Sequence, residues 1–545
     1  MRRFARTVAA ALAGVGAGLA FEPYHWACLL PVAVAALTLL CVGRTLRSGF
    51  CLGFVFGTAF MLVLLPWLRV IGVYAWIPLA VLEGFFYGIA GLVTGAVAGP
   101  AVRLRLWPVW AACSWVLLEA LRASVPFGGF PWGRLSFAVE DTPVAPALAY
   151  VGAAGVTFLV ALTGTTLAWV LSRGRRQPVR AVLALAAALA AASLASLVPW
   201  QATRPSDPQV RVAAVQGNVP GEGLDAFEER RLVLDDHVEA TQRFAARVDA
   251  GTAPRPDFLV WPENSSDIDP YTDSLARAEI GGAAASVGAP LLMGAVVGDR
   301  ANHGWYNRAI VWSAAGRPGA YYDKTHPVPF GEYIPLRSVL ASRISALKAI
   351  PNDMVSGTRP GVLQVGPART GVLMCFEVAY DGLLRDLVEG GADVIVVPTN
   401  NATYTGTGQV EQQFAMSRLR AIETGRTVVV ASTNGISGIV APDGAVLARA
   451  PERRQVVLDR DITLVSRHTP ATEVGRWPEL ALSALSLLAL LVALVLRLRR
   501  RSRLGGRPVD RSHPVDNGPG GPGSGPGSGP QPPAERPGSR PERVG

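Results

Sequence analysis

The chain has 545 residues, of which 50% are hydrophobic and only 17% charged, and its mean hydropathy is +0.30. This length indicates two or three structural units, and the apolar composition excludes an ordinary soluble globular protein. The net charge of +10 does not predict a nucleic-acid partner, because much of it lies in short loops beside apolar runs, where arginines orient membrane helices.

Eight apolar segments have the composition of membrane-spanning helices, and most are long enough to cross a bilayer. They run over 5–20, 24–42, 50–68, 73–98, 106–121, 145–171, 180–199 and 479–496. The first seven predict a transmembrane domain at 1–200, and the last predicts an eighth transmembrane helix at 479–497. A cleaved signal peptide is disfavoured, because no site of small residues leads from the first segment into a soluble domain.

Arginines occupy alternate loops between these segments and follow the last one, whereas the intervening loops are poor in arginine and lysine. The five basic groups are Arg2, Arg3 and Arg6; Arg44 and Arg47; Arg103 and Arg105; Arg173, Arg175, Arg176 and Arg180; and Arg497, Arg499, Arg500 and Arg501. By the positive-inside rule, both chain termini are predicted to be cytoplasmic. Seven crossings then place residues 200–478 outside the cytoplasm.

The region between the seventh and eighth segments is charged, and short β-rich runs alternate in it with helical stretches. The predicted strands are Val210–Val215, Phe258–Trp261, Leu291–Val297, Ala309–Trp312, Gly371–Cys375, Val394–Val397 and Thr427–Ser432. The predicted helices are 225–249, 272–287, 380–389 and 410–424. This alternation predicts a layered α/β domain at 207–465. Residues 505–545, rich in Pro, Gly and Arg, predict a disordered cytoplasmic tail.

The cysteines have no spacing typical of a zinc site or a redox pair, and a disulfide framework is not expected. Four of the five lie in or beside the apolar segments near the N-terminus. Cys375 alone lies in the polar middle region, at the end of a predicted strand.

Three polar side chains of this middle region follow apolar strands or strand-like runs. Glu263 ends the sequence Trp-Pro-Glu, Lys324 ends Tyr-Tyr-Asp-Lys, and Cys375 begins Cys-Phe-Glu. Side chains at strand ends project into clefts in α/β folds. Taken singly, however, each residue also fits an ordinary role, as a surface carboxylate, a solvated cation and a core thiol respectively.

Together and in this order, the three segments resemble the nitrilase superfamily, which has a Glu-Lys-Cys triad in an α-β-β-α sandwich. Joined to eight membrane segments, the pattern is similar to the apolipoprotein N-acyltransferase family over most of residues 1–497. Three further segments match the family. Val212–Asn218 resembles the opening strand of its nitrilase domain, and Gly129–Trp132 resembles its loop between the fifth and sixth membrane segments. Val328–Glu332 follows the lysine as the corresponding segment does there. The chain departs from the family at Phe376, often tyrosine there, and at Thr399–Tyr404, where Ser-Asn-Asp is common.

The resemblance implies a bacterial cell-membrane enzyme that moves a fatty acyl chain from a phospholipid to the α-amine of a diacylated apolipoprotein. It implies that Cys375 is the nucleophile of a thioester, ping-pong mechanism, that Glu263 is the base and that Lys324 stabilises the oxyanion. No cofactor and no metal are implied. The supporting residues are Glu332, Glu377 and Phe376, with Glu377 either a partner of Lys324 or a direct participant.

Several interpretations stay open at this point. The segment 124–142, with Phe130 and Trp132, is either a lateral substrate entrance or an aromatic belt at the membrane surface. Glu83 and Glu119 lie inside apolar segments, where carboxylates are usually functional or paired. Two other functions compete: a membrane-tethered amidase or nitrilase with the same triad, and a non-catalytic protein that binds lipoproteins or organises other membrane enzymes.

Overall fold

The computed structural model describes residues 2–173, 178–219, 230–299, 304–340 and 352–505. The predicted tail at 505–545 lies outside the described residues from 506 onward, as do Arg175, Arg176 and the first five residues of the helix predicted at 225–249.

Each of the eight predicted apolar segments contains a helix. The helices are α1 (Arg2–Gly18), α2 (Leu29–Cys41), α3 (Leu46–Leu64), α4 (Val73–Val97), α5 (Trp107–Arg122), α6 (Leu148–Arg173), α7 (Pro178–Leu197) and α14 (Trp477–Gly505). Among the described residues, α3, α4, α6, α7 and α14 are long and apolar enough to cross a membrane. The other three have 17, 13 and 16 residues, fewer than the roughly 20 that a hydrocarbon core requires.

Helices α3 and α4 pack closely because glycines face each other at their contact. A Cβ atom on Gly49 would lie 2.3 Å from the carbonyl oxygen of Gly91, and one on Gly91 would lie 2.1 Å from that of Gly49. Small residues at such positions let two backbones approach within van der Waals contact, which drives helix association where the hydrophobic effect is weak.

The two carboxylates inside the apolar segments are both paired with arginines. Glu83 lies 3.0 Å from Arg122, and Glu119 lies 3.3 Å from Arg134 and accepts a hydrogen bond from Thr157 at 2.7 Å. Charges buried among apolar helices need such partners. Arg122 also donates to the carbonyl oxygen of Trp132, so this pairing fixes the loop that follows α5.

The middle region is an α-β-β-α sandwich, as predicted. One sheet has the order β12-β1-β2-β3-β4-β5 and the other β11-β10-β9-β8-β7-β6. The strands are β1 (Gln209–Gln216), β2 (Phe258–Val260), β3 (Leu291–Asp299), β4 (Gly304–Trp312), β5 (Pro318–Asp323), β6 (Val362–Val365), β7 (Ala368–Val372), β8 (Val394–Thr399), β9 (Val428–Ser432), β10 (Gly438–Val440), β11 (Val446–Arg449) and β12 (Val456–Thr463). The remaining helices are α8 (Arg230–Asp249), α9 (Ser274–Val287), α10 (Arg337–Leu340), α11 (Asp381–Glu389), α12 (Gly408–Thr424) and α13 (Pro470–Val474).

Side chains along each strand point alternately to the other sheet and to the helices, and this alternation separates the layers of the sandwich. In β1, Val212 and Ala214 face the second sheet, whereas Ala213 and Val215 face α8 and α9. On the opposite sheet, alternate residues of β8 join a core that continues through α11 and α12 into the membrane helices. One face of the second sheet and the membrane helices therefore share one hydrophobic core.

Some predicted strand boundaries are wrong. The strand predicted at Gly371–Cys375 ends at Val372, and Cys375 instead begins a turn of 3-10 helix. Trp261 lies just beyond β2, and the strand predicted at Ala309–Trp312 is the end of the longer β4. The sequence analysis missed β5, β6, β10, β11 and β12, because these are short or carry polar residues and lack a continuous apolar run.

Candidate active site

The fold brings the three predicted triad residues together from the ends of three strands. Glu263 lies three residues after β2, Lys324 follows β5 directly, and Cys375 lies three residues after β7. Strands β2 and β7 belong to different sheets, and each runs parallel to a neighbour in its own sheet. The site therefore lies where the ends of both sheets meet.

Glu263 and Lys324 form a buried ion pair at the centre of the site. Lys324 Nζ donates to Glu263 Oε1 at 2.8 Å, and the two side chains are only 2% and 3% exposed respectively. Lys324 Nζ also lies 2.9 Å from Oε2 of Glu332. Burial alone would lower the pKa of Lys324, but the charges of Glu263 and Glu332 outweigh it and raise the pKa well above its usual value. Lys324 is therefore a permanent cation.

Asn307 is a site residue that the sequence analysis missed. Its side-chain amide projects from β4, is 2% exposed, and donates to both Glu263 Oε1 and Glu332 Oε1 at 2.7 Å. A single asparagine inside a strand carries no chemical signature, so only the fold identifies its partners. Asn307 and Lys324 together hold the two carboxylates at a fixed separation.

Cys375 occupies a strained turn. Its φ of +54° lies in the left-handed region, which costs a residue other than glycine about 1–3 kcal/mol. Strain of this kind at a strand-to-helix turn is how nucleophile elbows expose a reactive side chain. The residue keeps partial solvent access. This backbone conformation, absent from the predicted strand, sets where the sulfur lies.

The thiol is protonated at rest. Desolvation by the surrounding protein raises the pKa of Cys375, and the nearby Glu263 carboxylate, to which the thiol hydrogen-bonds, raises it further, whereas Lys324 lowers it. For Cys375 to act as a nucleophile this proton would have to be removed, and Glu263 is in position to accept it.

Glu377 is fully buried and anchors the segments that carry Lys324 and Cys375. Its carboxylate accepts hydrogen bonds from the backbone N–H groups of Thr325, His326 and Met374 at 2.8 to 3.0 Å. It also accepts one from the hydroxyl of Tyr322 at 2.9 Å. Burial raises its pKa, and the Lys324 charge opposes that rise. Among the described contacts, Glu377 hydrogen-bonds neither Lys324 nor Cys375, and it instead binds the backbone beside each of them.

Phe376 stacks with the two aromatic residues proposed for the entrance. Its ring lies 5.4 Å from that of Trp132 at an interplanar angle of 5°, and 5.4 Å from that of Phe130 at 27°. Trp132 is 1% exposed, whereas Phe130 is partly exposed. The loop after α5 thus reaches the residue next to Cys375.

The segment that departs from the family pattern also reaches the site. The backbone N–H of Asn400 donates to Glu263 Oε2 at 2.9 Å. This is a main-chain contact, so the side chains that differ from the family leave it in place. Both oxygens of Glu263 therefore have donors, which fixes the orientation of the carboxylate.

One group of side chains elsewhere has the ligand types of a metal site. Among the described residues, Glu22, His25 and Glu140 bring potential ligand atoms within 4.8 Å of one another. His25 Nδ1 lies 2.7 Å from Glu22 Oε1, and Glu140 pairs with Arg418. These hydrogen bonds and ion pairs account for the group without an ion.

A carboxylate, a lysine and a cysteine that converge from the strand ends of an α-β-β-α sandwich are typical of the nitrilase superfamily. Residues 211–468 match the family model for carbon-nitrogen hydrolases, and residues 13–166 match that for the apolipoprotein N-acyltransferase N-terminal domain.

Relatives resemble the chain over nearly its whole length. An apolipoprotein N-acyltransferase from Mycolicibacterium smegmatis is 39% identical over 90% of this chain and 87% of that protein. Another, from Chromobacterium violaceum, is 30% identical over 90% of this chain and 95% of its own. A solved structure of a nitrilase-superfamily amidase from Nesterenkonia AN1 aligns with 52% of this chain and 98% of its own, with a TM-score of 0.37 and 20% identity.

The chain belongs to the apolipoprotein N-acyltransferase family. It is accordingly a membrane acyltransferase of lipoprotein maturation, and the relatives do not favour the amidase alternative.

Proposed function

We propose that the chain transfers a fatty acyl group from a phospholipid to the α-amine of the diacylglyceryl-cysteine at the N-terminus of an apolipoprotein. The observation that carries this proposal is the buried Glu263–Lys324 pair beside a partly accessible Cys375, in a domain whose core continues into membrane helices. Both substrates have acyl chains anchored in a bilayer, so a site joined to membrane helices avoids extracting those chains at about 0.8 kcal/mol per CH₂.

In the first half-reaction, Cys375 Sγ attacks the ester carbonyl carbon of the phospholipid while Glu263 accepts the thiol proton. Collapse of the tetrahedral intermediate breaks the C–O bond. The lysophospholipid leaves as an alcohol after taking the proton from Glu263, and a thioester remains on the sulfur. The ester supplies the acyl group, so this scheme needs no nucleotide.

In the second half-reaction, the α-amine of the lipoprotein attacks the thioester carbonyl. Glu263 accepts a proton from the amine, the C–S bond breaks, and the sulfur leaves as a thiol that regains this proton. The product is an amide. The same carboxylate thus acts as base and acid in both halves.

Lys324 stabilises the oxyanion in both half-reactions. An ammonium group has three N–H donors, and the described contacts to Glu263 and Glu332 use two of them. The third is free to donate to the carbonyl oxygen as negative charge develops on it. A fixed cation in a site sheltered from water stabilises such charge more than it would in bulk solvent.

We infer further that the domain at 207–465 lies outside the cytoplasm, that both termini are cytoplasmic, and that Phe130 and Trp132 line the lateral entrance. The basic loops between the apolar helices support the orientation. The stacking of both aromatic residues on Phe376 supports the entrance. The ester of the phospholipid and the α-amine of the lipoprotein would then meet at the outer leaflet.

The test is a transfer assay with the purified full chain in detergent, with labelled phospholipid as the only acyl source. A diacylated lipopeptide is the acceptor, and the same lipopeptide with its α-amine acetylated is the matched control. We expect the label on the free-amine lipopeptide only, and none with Cys375→Ala. Label released only as free fatty acid would contradict the proposal and indicate a hydrolase.

A further inference from the structure

One glutamine side chain of the catalytic domain holds two tryptophans of the membrane domain. Gln412 Oε1, on α12, accepts a hydrogen bond from the indole N–H of Trp132 at 2.7 Å and from that of Trp67 at 3.2 Å. Its Nε2 donates to the backbone carbonyls of Glu22 at 2.8 Å and Leu64 at 3.0 Å. The amide therefore donates two hydrogen bonds and accepts two, and all four connect it to the membrane domain.

The two tryptophans differ in what they touch on their other side. Trp132 stacks on Phe376, the residue that follows the nucleophile, with its ring 5.4 Å away. Trp67 packs edge-on against Tyr404, with ring centroids 5.2 Å apart. Tyr404 lies four residues after Asn400, whose backbone N–H donates to Glu263 Oε2 at 2.9 Å, so its segment reaches the site.

Two aromatic pairs, Trp132 with Phe376 and Trp67 with Tyr404, thus reach the segments that carry Cys375 and Asn400, and a single amide oxygen accepts hydrogen bonds from both tryptophans. Gln412, Trp67 and Trp132 are only 6%, 6% and 1% exposed. A buried amide with every hydrogen bond satisfied has one favoured orientation, because any rotation leaves unpaired polar atoms. The two indole rings therefore have little freedom to move away from Phe376 and Tyr404.

This arrangement bears on the choice between amine and water at the thioester. A transferase has to protect the acyl-enzyme until the amine arrives, and excluding water from the site suppresses hydrolysis of such intermediates. Aromatic rings stacked on Phe376, the residue next to Cys375, shield this side of the site from water without offering a competing nucleophile. This step rests on the proposed thioester mechanism.

We propose that Gln412 is a positioning residue that, through Trp67 and Trp132, makes the acyl-enzyme react with an amine rather than with water. Loss of the Gln412 hydrogen bonds would let the two tryptophans move and admit water beside the thioester, while Glu263, Lys324 and Cys375 stay in place. Its signature is a change in product ratio rather than only in rate.

The experiment measures N-acylated lipopeptide and free fatty acid in the same reaction, with the full chain in detergent and phospholipid labelled in its acyl group. Gln412→Met removes all four hydrogen bonds while keeping a buried side chain of similar length. We expect the ratio of amide to fatty acid to fall about tenfold. Trp132→Phe and Trp67→Phe, which each keep an aromatic ring and lose one donor, should lower the same ratio by less, and they test the idea if Gln412→Met does not fold.

Arg418→Met is the matched control. Arg418 lies on the same helix and also links it to the membrane domain, through Glu140 and Asp141. It does not contact either tryptophan among the described residues, so this variant weakens the domain junction and should leave the product ratio unchanged.

An equal fall in both products with Gln412→Met and the two tryptophan variants, at constant ratio, would overturn the inference and reduce Gln412 to a structural role. A change in ratio with Arg418→Met as large as that with Gln412→Met would overturn it too. If the unsubstituted chain forms no thioester, the proposed function itself fails, and this inference falls with it.

Discussion

Nζ of Lys324 lies 2.8 Å from Oε1 of Glu263, across 61 residues of sequence and almost without solvent access. The pair is held by a second carboxylate, Glu332, and by the amide of Asn307. Removing one member of a buried pair leaves an uncompensated charge, so stability and chemistry are linked at this site.

Lys324→Met should therefore destabilise the protein as well as abolish transfer. Loss of the cation leaves Glu263 and Glu332 facing each other without compensation, at a cost of about 3–5 kcal/mol. The measurement is thermal or denaturant unfolding in detergent. The double variant Lys324→Met with Glu263→Gln should recover part of the stability and none of the activity. A single variant as stable as the unsubstituted chain would show that the pair is not buried as described.

The reactivity of Cys375 towards a small alkylating reagent should shift in opposite directions in two variants. The Glu263 carboxylate raises the pKa of the thiol and Lys324 lowers it. Glu263→Gln should therefore move the pH profile of alkylation to lower pH, and Lys324→Met should move it to higher pH. Mass spectrometry of the Cys375 peptide separates this signal from the other cysteines.

Acyl transfer by Glu263→Gln should nevertheless fall by about 10²- to 10⁴-fold, because the base is lost. A thiol that ionises more readily but transfers less is the expected signature of general base catalysis. Parallel loss of alkylation and transfer would instead indicate that Glu263 acts only by holding the sulfur in place.

Asn307→Leu should reduce transfer without shifting the pH profile of Cys375 alkylation as far as Glu263→Gln does. The variant removes two hydrogen bonds at 2.7 Å that orient Glu263 and Glu332, but it keeps both charges. The check is the rate of thioester formation beside the alkylation profile. Transfer at the unsubstituted rate would show that Lys324 and the Asn400 N–H suffice to orient the carboxylate.

A layered α/β domain could be predicted because continuous apolar runs mark the central strands. The α-β-β-α sandwich and the triad followed from the resemblance that Trp-Pro-Glu, Tyr-x-Lys and Cys-x-Glu carry. The edge strand β12 could not be predicted, since its Asp459, Arg460 and Asp461 interrupt the apolar pattern. The left-handed conformation of Cys375 and the contacts of Asn307 depend on chain segments far apart in sequence. Local patterns carry no information about them.

The pairing of Glu83 with Arg122 shows the same limit within the membrane domain. The sequence indicates that a carboxylate in an apolar helix needs a partner, but several arginines are available. Only the packing of α4 against α5 selects one of them.

The most direct test of the account is mass spectrometry of the full chain after incubation with phospholipid alone. The account predicts one added acyl group on the peptide containing Cys375, sensitive to hydroxylamine and absent in Cys375→Ala. Addition of a diacylated lipopeptide should then remove this group and place it on the peptide amine. Formation of N-acylated lipopeptide by the Cys375→Ala variant, or an acyl group on any other residue, would contradict the account.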